Sequence, residues 1–259
     1  MSAFLEVEAL AKNFGGVQAV KDVSFCVEKG SICSVIGPNG AGKTTVFNMI
    51  SGLLRPNSGH VRLEGQALTG VPAHRMARMG LGRTFQNLAV FGHASVVDNI
   101  LIGMHSKLRS GPFSAAIYWG RTRREEVAAR EHVEKIIDFL EIQGVRDLPV
   151  GTLSYGVQKR VELARALASE PKLLLLDEMV SGMNQEETED IARFILDIRE
   201  ELGTTVVMVE HDLGIVTDIS DKLVVLDFGR KIADGQPHDV ISDPTVIAAY
   251  MGAEQGAAA

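Results

Sequence analysis

Cysteine is scarce in this chain: only Cys26 and Cys33 occur among its 259 residues. Both fall in segments with strand-like patterning, and both are expected to serve as small buried hydrophobes in a reducing compartment. A basic excess is also missing. Lys and Arg number 26 against 33 Asp and Glu, a formal net charge of −7. That balance argues against nucleic acid as a partner, because phosphate backbones are bound mainly through surplus Lys and Arg. It still allows a local basic cleft. There is no run of about 18 apolar residues to cross a bilayer unaided. The opening MSAFLEVEALAKNF has no basic region followed by an apolar core, so no secretory signal is expected there. No internal repeat is found. These absences predict a cytosolic chain, or one docked to a membrane through a partner.

What is present is enough apolar material, 46% of residues, to bury one large domain or two small ones. Short alternating patterns over residues 4–10 and 17–27 predict half-exposed antiparallel strands. SICSVIG (31–37) reads as a buried strand entering a glycine turn, AGKTTVFNMISGL (41–53) as the helix after it, and GHVRLEG (59–65) as a short strand. From about 88 to 168 the pattern is helical, with RTRREEVAAREHVEKIIDFLEI the longest stretch. KLLLLDE (172–178), TTVVMVEH (204–211) and KLVVLDFG (222–229) then return to strand, separated in part by the amphipathic EETEDIARFILDIREEL. Unbroken Leu and Val runs suit strands buried on both faces of a parallel sheet. The expected class is α/β, with a helical insert and a small antiparallel sheet on the N-terminal side.

GPNGAGKTT (37–45) carries the first chemistry. Glycines let the backbone wrap so that successive amides converge on phosphate oxygens at a helix N-terminus. Lys43 would add a point charge at the terminal phosphates, and the Thr44 hydroxyl would ligate Mg²⁺. The pattern arises by chance in roughly one chain in a hundred, and here it also lies between a predicted strand and a predicted helix. At the end of KLLLLDE, Asp177 would hold the metal and Glu178 would polarise the attacking water. Two acids after an apolar strand could equally cap a helix, and it is their company with the glycine loop that favours the catalytic role. SYGVQKRVELARAL (154–167) has helical spacing and a capping Ser154, yet places Gly156 where a better helix former would gain about 1 kcal/mol.

Together with Gln86 in RTFQN, LSYGVQ (153–158), SGMN (181–184) and His211 in VMVEHD, these motifs resemble, in order and spacing, the ATP-binding cassette of ABC transporters over essentially the whole chain. The resemblance implies a P-loop NTPase (RecA-like) core with an N-terminal antiparallel β subdomain and an inserted α-helical subdomain. It implies one domain over 1–259, with 1–87 and 160–259 forming the core and 88–159 the helical part that ends in the signature motif. It implies ATP and Mg²⁺ as cofactors. Phe14 would stack on adenine with Val20 beside it; Asn39, Gly40, Ala41, Gly42, Lys43, Thr44 and Thr45 would hold the phosphates. Gln86 would join Thr44 and Asp177 at the metal, His211 would sense the γ-phosphate, and Ser154 and Gly156 would meet ATP bound to a second cassette.

The sequence departs from the family pattern at Tyr155, Val157, Met179 and Asn184, which bear on turnover and dimer affinity. GLGRTFQNLAVF, VEHDLGIV and the closing DPTVIAAYMG are similar to cassettes of branched-chain amino acid uptake systems. The resemblance therefore implies an importer subunit at the inner face of the cell membrane. Its partners would be a second cassette, identical or related, two integral-membrane permeases and, indirectly, a periplasmic or extracellular solute-binding protein. Alternatives are a cassette for lipid or lipopolysaccharide export, or an ABC ATPase outside transport. Trp119 and Tyr118 in the insert would either pack within the helical part or touch a permease or lipid.

Overall fold

The computed structural model describes residues 3–84, 90–104 and 121–257. Strands β1 (Leu5–Phe14), β2 (Val17–Val27), β4 (Ser58–Leu63) and β5 (Gln66–Ala67) form an antiparallel sheet in the order β2-β1-β4-β5. A second sheet has the order β10-β9-β3-β8-β7-β6. Its members are β3 (Ile32–Ile36), β6 (Leu81–Arg83), β7 (Leu173–Asp177), β8 (Thr205–Val209), β9 (Lys222–Asp227) and β10 (Arg230–Gly235). All neighbours in it pair in parallel except the edge strand β10, which runs against β9.

Side chains alternate across a strand, and here the alternation divides two cores. Cys33, Val35, Leu173, Leu175, Val207 and Val209 face the antiparallel sheet and helix α1 (Lys43–Ile50). Ile32, Ile36, Leu174, Leu176, Val206 and Met208 face the other way. There they meet α3 (Val96–Gly103), α4 (Arg121–Phe139), α5 (Tyr155–Leu167), α6 (Gln185–Leu202) and α7 (Leu213–Ile219). A short α2 (Ala73–Met76) leads towards β6, and α8 (Pro237–Ile241) and α9 (Pro244–Ala257) close the chain.

Local chemistry accounts for the helix ends. Asn184 and Glu187 make a reciprocal capping box at the start of α6, with Glu187 N donating to Asn184 Oδ1 at 2.9 Å. Gly203, left-handed at φ 65°, ends the same helix. Between them Ile191, Phe194, Ile195 and Ile198 recur at helical spacing on the buried face.

The predicted strands and the helix after the glycine turn are all present, with ends shifted by a few residues. Strands β5, β6 and β10 were not anticipated; β5 has two residues and β6 three, too few to show a period. Among its described residues, the helical region expected over about 88–168 contains α3, α4 and α5 with two 3₁₀ turns, and α5 runs unbroken through position 160. Cys26 corrects the expectation that both cysteines are buried. The inward residues of β2 are Val23, Phe25 and Val27, so the intervening Cys26 points to solvent. Cys33 is buried, which raises its thiol to about 12. Trp119 and Tyr118 lie outside the described residues.

Candidate active site

The central strand β3 delivers the glycine loop to the carboxyl end of the parallel sheet, where α/β folds place their ligands. Gly37 has φ 146°, and a Cβ there would lie 2.0 Å from the Leu226 carbonyl oxygen. Gly42, at φ 104°, is pressed against the Ala19 carbonyl. Both positions exclude other side chains, and both bring backbone amides to the mouth of α1. The Lys43 ammonium donates to the carbonyls of Gly37 (2.7 Å) and Pro38 (3.0 Å), folding the side chain back under the loop. Burial lowers its pKa, and the charge of Glu178 partly opposes that shift.

A cleft of about 270 Å³ is lined by Ala19, Asn39, Gly40, Ala41, Gly42, Lys43, Thr44 and Thr45 together with Glu178 and His211. The predicted phosphate residues therefore share one space with the predicted water-orienting acid and sensor. A larger cleft, about 620 Å³, lies near the opposite ends of the strands around Lys172 and Thr204 and contains none of them.

Register explains how distant residues converge. Asp177 pairs with Val209 across β7 and β8, so the residues just beyond both strands emerge side by side. Glu178 N donates to Val209 O at 2.9 Å, and Glu178 Oε1 lies 2.9 Å from His211 Nε2. Glu178 adopts a left-handed backbone, φ 52°. That conformation costs a non-glycine residue on the order of 1 kcal/mol or more and persists only where neighbours enforce it.

Asp177 is buried and paired. Its Oδ2 accepts from the Arg83 guanidinium at 3.0 Å, and its backbone N–H donates to Thr84 Oγ1. Burial raises its carboxyl above the usual range, with Arg83 opposing. Among the described residues its Oδ1 is buried without a hydrogen-bond partner, as suits an oxygen that faces a cation or its water. Thr44 is exposed on the first turn of α1. This donor set, a carboxylate oxygen and a hydroxyl, fits a hard cation such as Mg²⁺. Gln86, the third expected ligand, lies outside the described residues.

Phe14 is 49% exposed, with Lys12 Nζ 5.5 Å from its ring centroid, so it is not part of the core. It pairs with Val17 at the hairpin tip, two residues from the cleft-lining Ala19. Val20 is placed otherwise than expected. It is fully buried beneath the loop, 3.4 Å from a Cβ position at Gly42, and supports the loop instead of facing a base. Ser154 caps α5, accepting from Val157 N. Gly156 is buried under the Glu187 carboxylate, where a Cβ would meet Oε1 at 2.4 Å. Neither residue lines the glycine-loop cleft.

Three residues escaped sequence reasoning. Arg83 binds Asp177 and Ser51 together. The buried Glu210 accepts from Val180 N, and burial lifts its carboxyl to about 7. The Tyr250 hydroxyl, raised to about 12 by burial, meets the Gly37 backbone. Only long-range contacts reveal these three; the one local hint is an acid directly preceding His211.

The parallel sheet and its loop define a P-loop nucleoside triphosphatase. The family model for ABC transporters matches residues 20–181, and one described as branched-chain amino acid ATP-binding cassette transporter matches 230–255. The chain belongs to the ABC transporter family and is an ATP-binding, ATP-hydrolysing subunit. The high-affinity branched-chain amino acid transport ATP-binding protein BraF of Pseudomonas aeruginosa is 40% identical over 248 residues, 96% of this chain and 97% of its own. The lipopolysaccharide export system ATP-binding protein LptB of Acidithiobacillus ferridurans is 35% identical, covering 97% of this chain and 98% of its own. The solved ADP conformation of MJ1267, an ATP-binding cassette of an ABC transporter, has a TM-score of 0.85 at 34% identity, covering 97% of this chain and 100% of that one. A dimeric structure of MJ0796, a bacterial ABC transporter cassette, shares the fold at TM-score 0.76 and 23% identity, covering 90% and 98%. No helix among the described residues is long and apolar enough to cross a membrane.

Proposed function

We propose that the chain is the ATPase subunit of an importer for branched-chain amino acids or a related small polar solute. The observation that carries this reading is the match of residues 230–255 to the branched-chain amino acid cassette model. That segment lies beyond the part shared with ABC transporters at large. In the proposed assembly the chain sits at the cytoplasmic face of the membrane. It pairs with a second cassette and drives two permeases that receive solute from a binding protein.

In the proposed chemistry, the amides of Asn39 to Thr45 and the Lys43 ammonium bind the triphosphate, and Phe14 stacks on the base. Thr44, Asp177 and Gln86 would hold Mg²⁺, which supplies charge neutralisation at the β- and γ-phosphates. Glu178 orients the attacking water, and His211, in hydrogen-bond reach of Glu178, would sense the terminal phosphate. Lys43 must exchange its two carbonyl partners for phosphate oxygens, and its partial burial strengthens that contact. Ser154 and Gly156 lie at the head of α5, whose amide end favours an anion. They would complete the site of the partner cassette. Domain boundaries near 87/88 and 159/160 remain part of this proposal.

The identity with LptB supports a second reading, export of lipopolysaccharide. Reconstitution separates the two. ATPase activity that rises with purified permeases and a binding protein loaded with a branched-chain amino acid supports import. Stimulation only by lipopolysaccharide-export membrane components would replace that reading.

A further inference from the structure

Glu210 has no part in the mechanism above, yet its placement is unusual for a carboxylate. It is 3% exposed at the end of β8, directly before His211. Val180 N donates to its Oε1 at 3.2 Å, and the backbone N–H groups of Met179 and His211 also face it. The first two donors immediately follow Glu178, and the third belongs to the residue that bonds Glu178. One buried side chain thus gathers both loops that carry the hydrolytic pair. The left-handed backbone of Glu178 needs such a restraint, because an unsupported L-residue relaxes out of that region.

We propose that Glu210 is a positioning residue for hydrolysis, tying the backbone after Glu178 to the turn bearing His211 so that the 2.9 Å Glu178–His211 contact is held. The chemistry requires a carboxylate. In the ionised form, which the folded chain holds above about pH 7, both oxygens accept, so three converging N–H groups are satisfied at once, whereas the amide of glutamine turns one acceptor into a donor at every pH. The burial of these donors makes an unmatched one costly. Glu210 does not line the glycine-loop cleft, so the effect falls on turnover and spares ATP binding.

The inference rests on the roles proposed for Glu178 and His211, and the experiment keeps the two apart. Steady-state ATPase and nucleotide affinity are measured on the full chain for wild type, Glu178→Gln, His211→Ala, Glu210→Gln and the double variant Glu210→Gln/His211→Ala. Glu210→Gln is expected to lower kcat about tenfold while KM and Kd for ATP stay within about twofold. In the His211→Ala background the same substitution should cost less than about threefold, since its route of action is already broken. An unchanged kcat in Glu210→Gln, a rise in KM matching the fall in kcat, or fully additive losses would each overturn the inference. Near-normal turnover in Glu178→Gln would instead overturn the site reading beneath it. Glu210→Asp, which keeps both acceptor oxygens, should restore part of the lost kcat; recovery no better than Glu210→Gln would also count against the inference.

Discussion

The glycine loop and the head of α5 are the two helix entrances to which the proposed function assigns phosphate, and they differ in completeness. Around the loop the phosphate residues, Glu178 and His211 converge within one chain. Glycines are forced at 37 and 42, Lys43 is drawn inward, and Glu178 and His211 close the cleft. At the head of α5 the groups are turned to local tasks: Ser154 caps its own helix, Gly156 lies under Glu187, and the exposed Tyr155 has no phosphate cradle around it. The first is a site with its own floor and walls. Under the proposed function the second would become a site only against another cassette, which is why the first half is legible in one chain and the second is not.

Substitutions can break this contrast in turn. Glu178→Gln should lower turnover about a hundredfold with ATP still bound; a rate close to wild type would remove Glu178 from the chemistry. Lys43→Ala should weaken ATP binding about a hundredfold by calorimetry, and unchanged affinity would show that the loop is not the phosphate site.

The complete half also stores a cost that pH reveals. Glu210 titrates near 7 when folded, above its ordinary 4.5, so the folded chain keeps a proton that the unfolded chain has released. The stability from this proton is full below about 4.5 and is lost as pH rises through 7. Denaturant unfolding should show a loss on the order of 2 kcal/mol from this group between pH 5 and 8. Glu210→Gln should remove that slope; an identical slope in both proteins would reassign the titration.

The smallest effect expected is at α5. Gly156→Ala should leave ATP affinity within about twofold and lower turnover about fivefold. Adding Glu187→Ala, which clears the 2.4 Å clash, should not restore the rate if a partner's phosphate needs that close approach. Full recovery would make Gly156 a packing glycine only.

These residues also mark what sequence can say. GPNGAGKTT is legible because its function lies in local spacing, and the buried strands because apolar runs report burial on both faces. Asp177 was found as an acid at a strand end. Its partner Arg83, 94 positions away, was not, because nothing local signals a pairing made across the edge of a sheet. Glu210 was hidden for the same reason, its value lying in backbone donors from another loop. Val20 and Cys26 show the reverse limit: a residue's type suggests a role, while the parity of its strand position decides which way it faces.

The most direct test of the central claim, that one half of the site is complete and the other waits for a second cassette, is ATPase rate per molecule across a dilution series of the purified chain. The account predicts that the rate per molecule falls as the chain is diluted, while ATP binding at the glycine loop persists. A rate per molecule that stays constant across the series would contradict it.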